Sequence, residues 1–257
     1  MIASLGMYDF GAAQAANDRL WAGLRAGLAA GGIAAPAALT RGEGAYWPAW
    51  ESPDLVLSQT CGFPYRARLH GRVELVGAPV LDLAGVAPGQ YHSVVVVRAG
   101  DPREDLLAFS GAALAWNEDL SQSGWAALAN WTPELGFRLN PVLRTGGHRA
   151  SAAAVASGRA EIAALDALTF AMLEDAGDAD TRALRVIAQT PPSPALPYIA
   201  ARGADPAAIR AALAAAIDGL SPQDRATLRL KGVVAVAAED YLAVPIPPSP
   251  GEFQCKT

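Results

Sequence analysis

The sequence predicts an α/β protein of two units, each a mainly parallel sheet flanked by helices, joined by two crossing segments. Three observations carry this expectation. Short apolar or β-branched runs alternate with stretches of helical periodicity, the pattern of strands covered by helices. The run YHSVVVVRAG, residues 91–100, is continuous and β-branched, as a fully buried strand should be. RVIAQTPPSPALPYIAARG, residues 185–203, is a second long apolar segment, broken by prolines. With these as crossings, residues 1–96 plus 190–257 form lobe one, and residues 97–189 form lobe two.

The elements follow in order along the chain. IASLGMY opens as a strand, and AAQAANDRLWAGLRAGLAAGG continues as a helix in which Leu20, Leu24 and Leu28 recur every four residues. The Gly31-Gly32 pair stops it. A strand is expected near residues 37–39, then a loop RGEGAYW and the strand DLVLSQT. A short helix opens at Pro64, and VELVGAPV returns to the sheet. After the 91–100 strand the rhythm restarts. ALAWNE, RLNPVLRTGG and EIAALD read as strands, followed in turn by the helices SQSGWAALANW, HRASAAAVASG and ALTFAMLEDAG. DPAAIRAALAAAIDGL is the best-marked helix, with Asp205 as its cap, Pro206 in its first turn and a glycine at its end.

Composition narrows the function. A chain of 257 residues can bury a sizeable core. Its net charge is −5, with no cluster of basic residues, so a nucleic-acid partner is not expected. No apolar run approaches the roughly 18–20 residues that span a bilayer. MIASLGMYDF has no basic start, long apolar stretch or cleavage site, so the chain as written is expected in the cytoplasm, or in the periplasm if an export segment is missing. Two cysteines, Cys61 and Cys255, make no metal framework, and free thiols are the default reading. No cofactor or metal is expected.

Ligands of open α/β sheets bind beyond the carboxyl ends of the strands. In lobe two these places hold Ser121, Gln122 and Ser123, then Gly146, Gly147 and His148, then Asp166. SQSG opens a helix, where unpaired N–H groups and about +0.5 of a charge favour an anion without any cationic side chain. Gly124 lets a ligand approach the backbone. Ser121 alone could equally be a helix cap. His148 also opens a helix, where the dipole disfavours the imidazolium, so it reads as a neutral donor to an oxyanion or as a plain cap. Asp166 either accepts a proton from the ligand or caps the helix after it. Lobe one offers Tyr46, Thr60 and Tyr65, whose hydroxyls could close over the ligand; tyrosines in such places are also packed by their rings. Trp47, Trp50 and Trp125 either wall the ligand or fill the core.

Taken together, SQTCGFPY, YHSVVVVRAG, NEDLSQSGW and TGGHRASAAAVASGRAEIAALD resemble the phosphate, phosphonate and phosphite substrate-binding proteins of ABC transporters, over roughly residues 40–205. That resemblance implies the two-lobed type II periplasmic binding protein fold. It also implies a phosphonate site made of Ser121, Gln122, Ser123, His148, Asp166, Tyr46 and Tyr65. Gln122 stands where the family has a hydroxyl. The implied function is a solute-binding protein, not an enzyme. It would close its lobes over a small phosphorus oxyanion, bending near 91–100 and 185–200, and would act as a monomer that serves an ABC permease. Two alternatives remain at this stage. One is an intracellular ligand-sensing module of the same fold; the other is a hydrolase using Ser123, His148 and Asp166.

Overall fold

A computed structural model describes residues 1–254, in two units: Met1–Tyr91 with Pro194–Ala243, and His92–Ser193 with the segment that begins at Val244. Each contains a five-stranded sheet and helices.

In the first unit the strand order is Ile2–Ser4, Leu55–Gln59, Tyr198–Ala201, Val73–Leu81 and Leu230–Val234. The first pair is parallel and the other three are antiparallel. The sheet is therefore mixed, where alternation along the chain pointed to mainly parallel pairing. The Tyr198 and Leu230 strands belong to the returning part of the chain and enter the sheet from the opposite end. All of Leu55–Gln59 is buried, as in a strand covered on both faces. The helix Ala13–Ala30 buries Leu20, Leu24 and Leu28 on one stripe. Asp205 caps Pro206–Asp218, its Oδ1 accepting from the N–H groups of Ala207 and Ala208, both at 3.0 Å. Trp50, Leu55, Tyr65, Leu69, Ile199 and Tyr241 form one buried cluster.

Gly77 lies in the Val73–Leu81 strand at φ +156°, and a Cβ there would stand 2.5 Å from the Val234 carbonyl oxygen. Gly77→Ala is thus expected to destabilise the first unit by about 1–3 kcal/mol, read by urea unfolding. A change within about 0.5 kcal/mol would contradict that close approach.

Several expectations need correcting. No strand forms at residues 37–39; the segment bends, with one bond from Thr40 N–H to Ala3 O at 2.7 Å. Pro36 beside it has no N–H to give a ladder. The apolar stretch 185–203 takes part in three strands of different sheets, Leu184–Gln189, Ser193–Pro194 and Tyr198–Ala201, with prolines between them. The helix Pro222–Leu228 and the strand Leu230–Val234 are additional elements.

In the second unit the order is Asn140–Arg144, Ala113–Trp116, Ile162–Asp166, Ser93–Arg98 and Leu184–Gln189. Ala113–Trp116 is parallel to both its neighbours, and Ser93–Arg98 is antiparallel to both of its own. Residues 93–97 are buried throughout. The segment from Val244, assigned to lobe one from sequence, packs with this unit instead. The Trp125 indole N–H donates to Pro248 O at 3.1 Å, and the Asn130 amide donates to Pro245 O at 2.9 Å. Trp125 also meets the Phe253 ring edge-on at 5.3 Å. A tryptophan buried to 1 % exposure needs both apolar cover and a partner for its N–H, and this segment supplies them.

Cys61 is buried, and Cys255 lies outside the described residues. Among the described residues no helix is long and apolar enough to cross a membrane.

Candidate functional site

The second unit brings Ser121, Gln122, Ser123, His148 and Asp166 to the ends of three adjoining strands. Backbone bonds set this up: Thr145 N–H donates to Trp116 O at 2.8 Å and Gly146 N–H to Asn117 O at 2.9 Å. These tie the turn before His148 to the end of Ala113–Trp116. Beyond that end, Ser121 caps the next helix, its Oγ accepting from Gly124 N–H at 3.0 Å. The first turn is wide: Ala126 and Ala127 donate to carbonyls five residues back, at Ser121 and Gln122. Such π-type turns recur at functional sites. Gln122 and Ser123 are both buried, at 3 % exposure.

His148 opens the helix His148–Ala156 and is the hub of the site. Its Nδ1 accepts from the Asp166 backbone N–H at 3.4 Å, so the neutral ring carries its proton on Nε2. Nε2 lies 2.9 Å from Ser123 Oγ and donates to it, leaving the Ser123 hydroxyl proton for another acceptor. Burial of the ring pushes its pKa down to about 4. The Asp166 carboxylate caps the helix after it, Oδ1 accepting from Thr169 N–H at 2.8 Å.

The arrangement differs from a Ser-His-Asp relay at Nδ1. In such a relay a carboxylate receives the Nδ1 proton and Nε2 takes the serine's. Here a backbone N–H faces Nδ1, and Nε2 is already protonated. Chemically the group sets neutral donors at Ser123, His148 and the helix start beside one acceptor, the Asp166 carboxylate.

The depressed His148 pKa sets a pH window. A ring that is neutral when folded and ordinary when unfolded takes up protons on unfolding between pH 6.5 and about 4. Its contribution is therefore constant above pH 6.5 and is lost as pH falls toward 4, by up to about 3 kcal/mol. His92, whose pKa burial also lowers, acts in the same direction. Subtracting the stability of His148→Gln from that of the native chain, pH by pH, isolates the His148 share; a flat difference from pH 7 to 4 would refute it.

Gly124 serves a neighbour within the unit. A Cβ there would stand 1.9 Å from Asn117 Oδ1, so the side-chain space of Gly124 is filled by the Asn117 amide. Asn117, absent from the residues drawn from sequence, is buried and approaches His148 Nε2 with its Nδ2 at 3.4 Å. Its place directly after a strand was the available signal. Trp125 is core, not wall.

The remaining residues belong to the first unit. Tyr46 is 39 % exposed, and its hydroxyl donates to Gly6 O at 3.0 Å. Burial of the ring raises its pKa. Thr60 is fully buried, and its Oγ1 has no hydrogen-bond partner among the described residues. Tyr65 is packed edge-on against Tyr241 at 5.1 Å, and burial pushes its pKa up to about 12. Trp50 is buried with its N–H on Ser58 Oγ at 3.1 Å, while Trp47 is partly buried and lies under the Arg68 guanidinium. Among the described residues no group of three or more His, Cys, Asp or Glu could hold a metal ion.

Two α/β units built on mixed sheets define the type II periplasmic binding protein class, and solved structures share this fold. PhnD1 from Prochlorococcus marinus, in complex with methylphosphonate, aligns with a TM-score of 0.71 at 15 % identity, over 99 % of this chain and 97 % of that one. A binding-protein component of an ABC phosphonate transporter from Pseudomonas aeruginosa gives 0.67 at 17 % identity, over 94 % and 82 %. A Xanthomonas citri protein bound to chloride gives 0.67 at 14 %, over 99 % and 96 %. Comparison with curated proteins gives no match.

Residues 61–241 match the family described as ABC transporter, phosphonate, periplasmic substrate-binding protein, and the chain belongs to it. It is a family of binding proteins that serve transporters.

Proposed function

We propose that the chain binds a small phosphorus oxyanion (phosphonate, phosphite or phosphate) at the strand ends of its second unit, without chemical change. What carries this reading is the protonation pattern at His148. With Nδ1 occupied by a backbone N–H and Nε2–H directed at Ser123, the serine hydroxyl is a donor aimed away from the histidine. Ser121, Gln122, Ser123, His148 and Asp166 are the residues assigned to the ligand. Ser121 acts through its cap, which holds Gly124 and the first helical turn in place.

Each hydrogen bond to a charged ligand contributes roughly 1.5–3 kcal/mol. Four or five of them are enough for micromolar affinity, about −8 kcal/mol, once association costs are deducted. Family membership and the methylphosphonate held by the Prochlorococcus marinus relative support the same ligand class. The chain would act as a monomer in the periplasm and deliver its ligand to an ABC permease.

The test is calorimetric titration and thermal unfolding with phosphate, phosphite, methylphosphonate, 2-aminoethylphosphonate and sulfate. At 100 times its dissociation constant a ligand adds about 2.7 kcal/mol of stability, several degrees for a chain of this size. A shift with a phosphorus oxyanion is expected, and none with sulfate at equal concentration. No shift with any phosphorus oxyanion would overturn the reading. Stoichiometric labelling of Ser123 by a fluorophosphonate would put a hydrolase in its place.

A further inference from the structure

We propose that Asn117 is the positioning residue of the anion site. Wedged into the space beside Gly124, its amide holds His148 Nε2–H toward Ser123 and so leaves the Ser123 proton for the ligand. The inference rests on the oxyanion reading above for its ligand, and on geometry for the rest.

Three observations converge on this residue. Its backbone is pinned, since Asn117 O accepts from Gly146 N–H at 2.9 Å. Its side chain is more than nine-tenths buried, and Oδ1 has no hydrogen-bond partner among the described residues. Its amide touches both halves of the site, with Nδ2 at 3.4 Å from His148 Nε2 and the other edge against Gly124.

A residue kept only to fill space would do better as leucine. The shape is nearly the same, and a buried, unpaired amide carries a desolvation penalty that an apolar side chain avoids. The amide is thus retained for its hydrogen bonding. The tautomer of His148 says which way that bonding runs. With Nδ1 accepting from Asp166 N–H, Nε2 is a donor, and a donor does not face the Asn117 NH₂. The two ends of an amide have the same shape and exchange by a half-turn about χ2. Turned so, Oδ1 shares the Nε2–H with Ser123 Oγ and fixes the ring in the plane that Ser123 requires. Gly124 completes the device, because any side chain there would displace the amide.

Asn117→Leu is the first test, in the full chain. Its unfolding temperature is expected to stay within a few degrees of native. Methylphosphonate affinity should fall at least tenfold. The Nε2–H tautomer stays, held by the Asp166 N–H, but the Nε2–H proton shift of His148, read without ligand, should move as its bond to the amide is lost. Affinity within twofold of native, or an unchanged ring signature, would overturn the proposal.

Should Asn117→Leu fail to fold, Gly124→Ala and the pair Asn117→Ala/Gly124→Ala give the second test. The pair is expected to recover the stability lost in Gly124→Ala, because the methyl group added at position 124 then fits the vacated space, yet not to recover affinity. Purely additive losses would refute the wedge. If the native chain binds no phosphorus oxyanion, the oxyanion reading fails by itself. The ligand-free ring signature still decides whether Asn117 sets His148.

Discussion

Ser123→Ala is expected to weaken methylphosphonate binding by about 10- to 100-fold, the loss of one hydrogen bond to a charged group at roughly 1.5–3 kcal/mol. The side chain is buried at the head of a helix, and His148 Nε2–H already satisfies its oxygen. Its own proton is what it has to offer, and alanine removes that proton. His148→Leu should cost a similar amount, because the Ser123 proton then has no reason to point outward. The double variant should lose little more than either single one, as two residues acting through one hydrogen bond do. Titration calorimetry on the three variants measures this. Native affinity in Ser123→Ala would remove the serine from the site, and strictly additive losses would uncouple the pair.

The largest stability effect is expected at Trp125. Replacing it by alanine should destabilise the second unit by about 3–5 kcal/mol, the range for deleting a large buried aromatic. The ring is 1 % exposed, its N–H is bonded to Pro248 O, and it meets Phe253 edge-on. Its removal takes away the main anchor of the segment from Val244. Guanidinium unfolding should report the loss, and limited proteolysis should cut that segment faster. A cost below about 1 kcal/mol would mean that the segment does not depend on the tryptophan. Because Trp125 lies within the turn that Ser121 caps, a parallel drop in ligand affinity is also expected.

Much of the layout of this candidate site was legible in the residues. NEDLSQSGW places hydroxyls at a helix start after a strand, TGGH places a histidine at the next, and EIAALD ends on a carboxylate. Periodicity and strand-end position suffice for that, since both are local. The roles within the site were less legible. Asp166 and Ser121 could each be caps or contacts, and their side chains do accept from backbone N–H groups three residues on. Gly124 pointed to a ligand, yet its neighbour is Asn117, seven residues earlier. That contact depends on a wide turn at Gln122–Ala126, a geometry with no local signature in QSGWA.

By itself, the sequence determined the α/β class, the chief helices with their caps, the buried run at 93–97 and the gathering of polar residues at strand ends. Each follows from interactions within one element or from the face it must bury. Tertiary structure alone decided the mixed direction of the sheets, the packing of residues 244–254 with the second unit, and the tautomer of His148. Strand direction depends on the end from which a returning segment enters the sheet. The ring's proton depends on a backbone N–H contributed by Asp166, eighteen residues away. Pairings of that kind are settled by the whole fold, because no local preference distinguishes one distant partner from another.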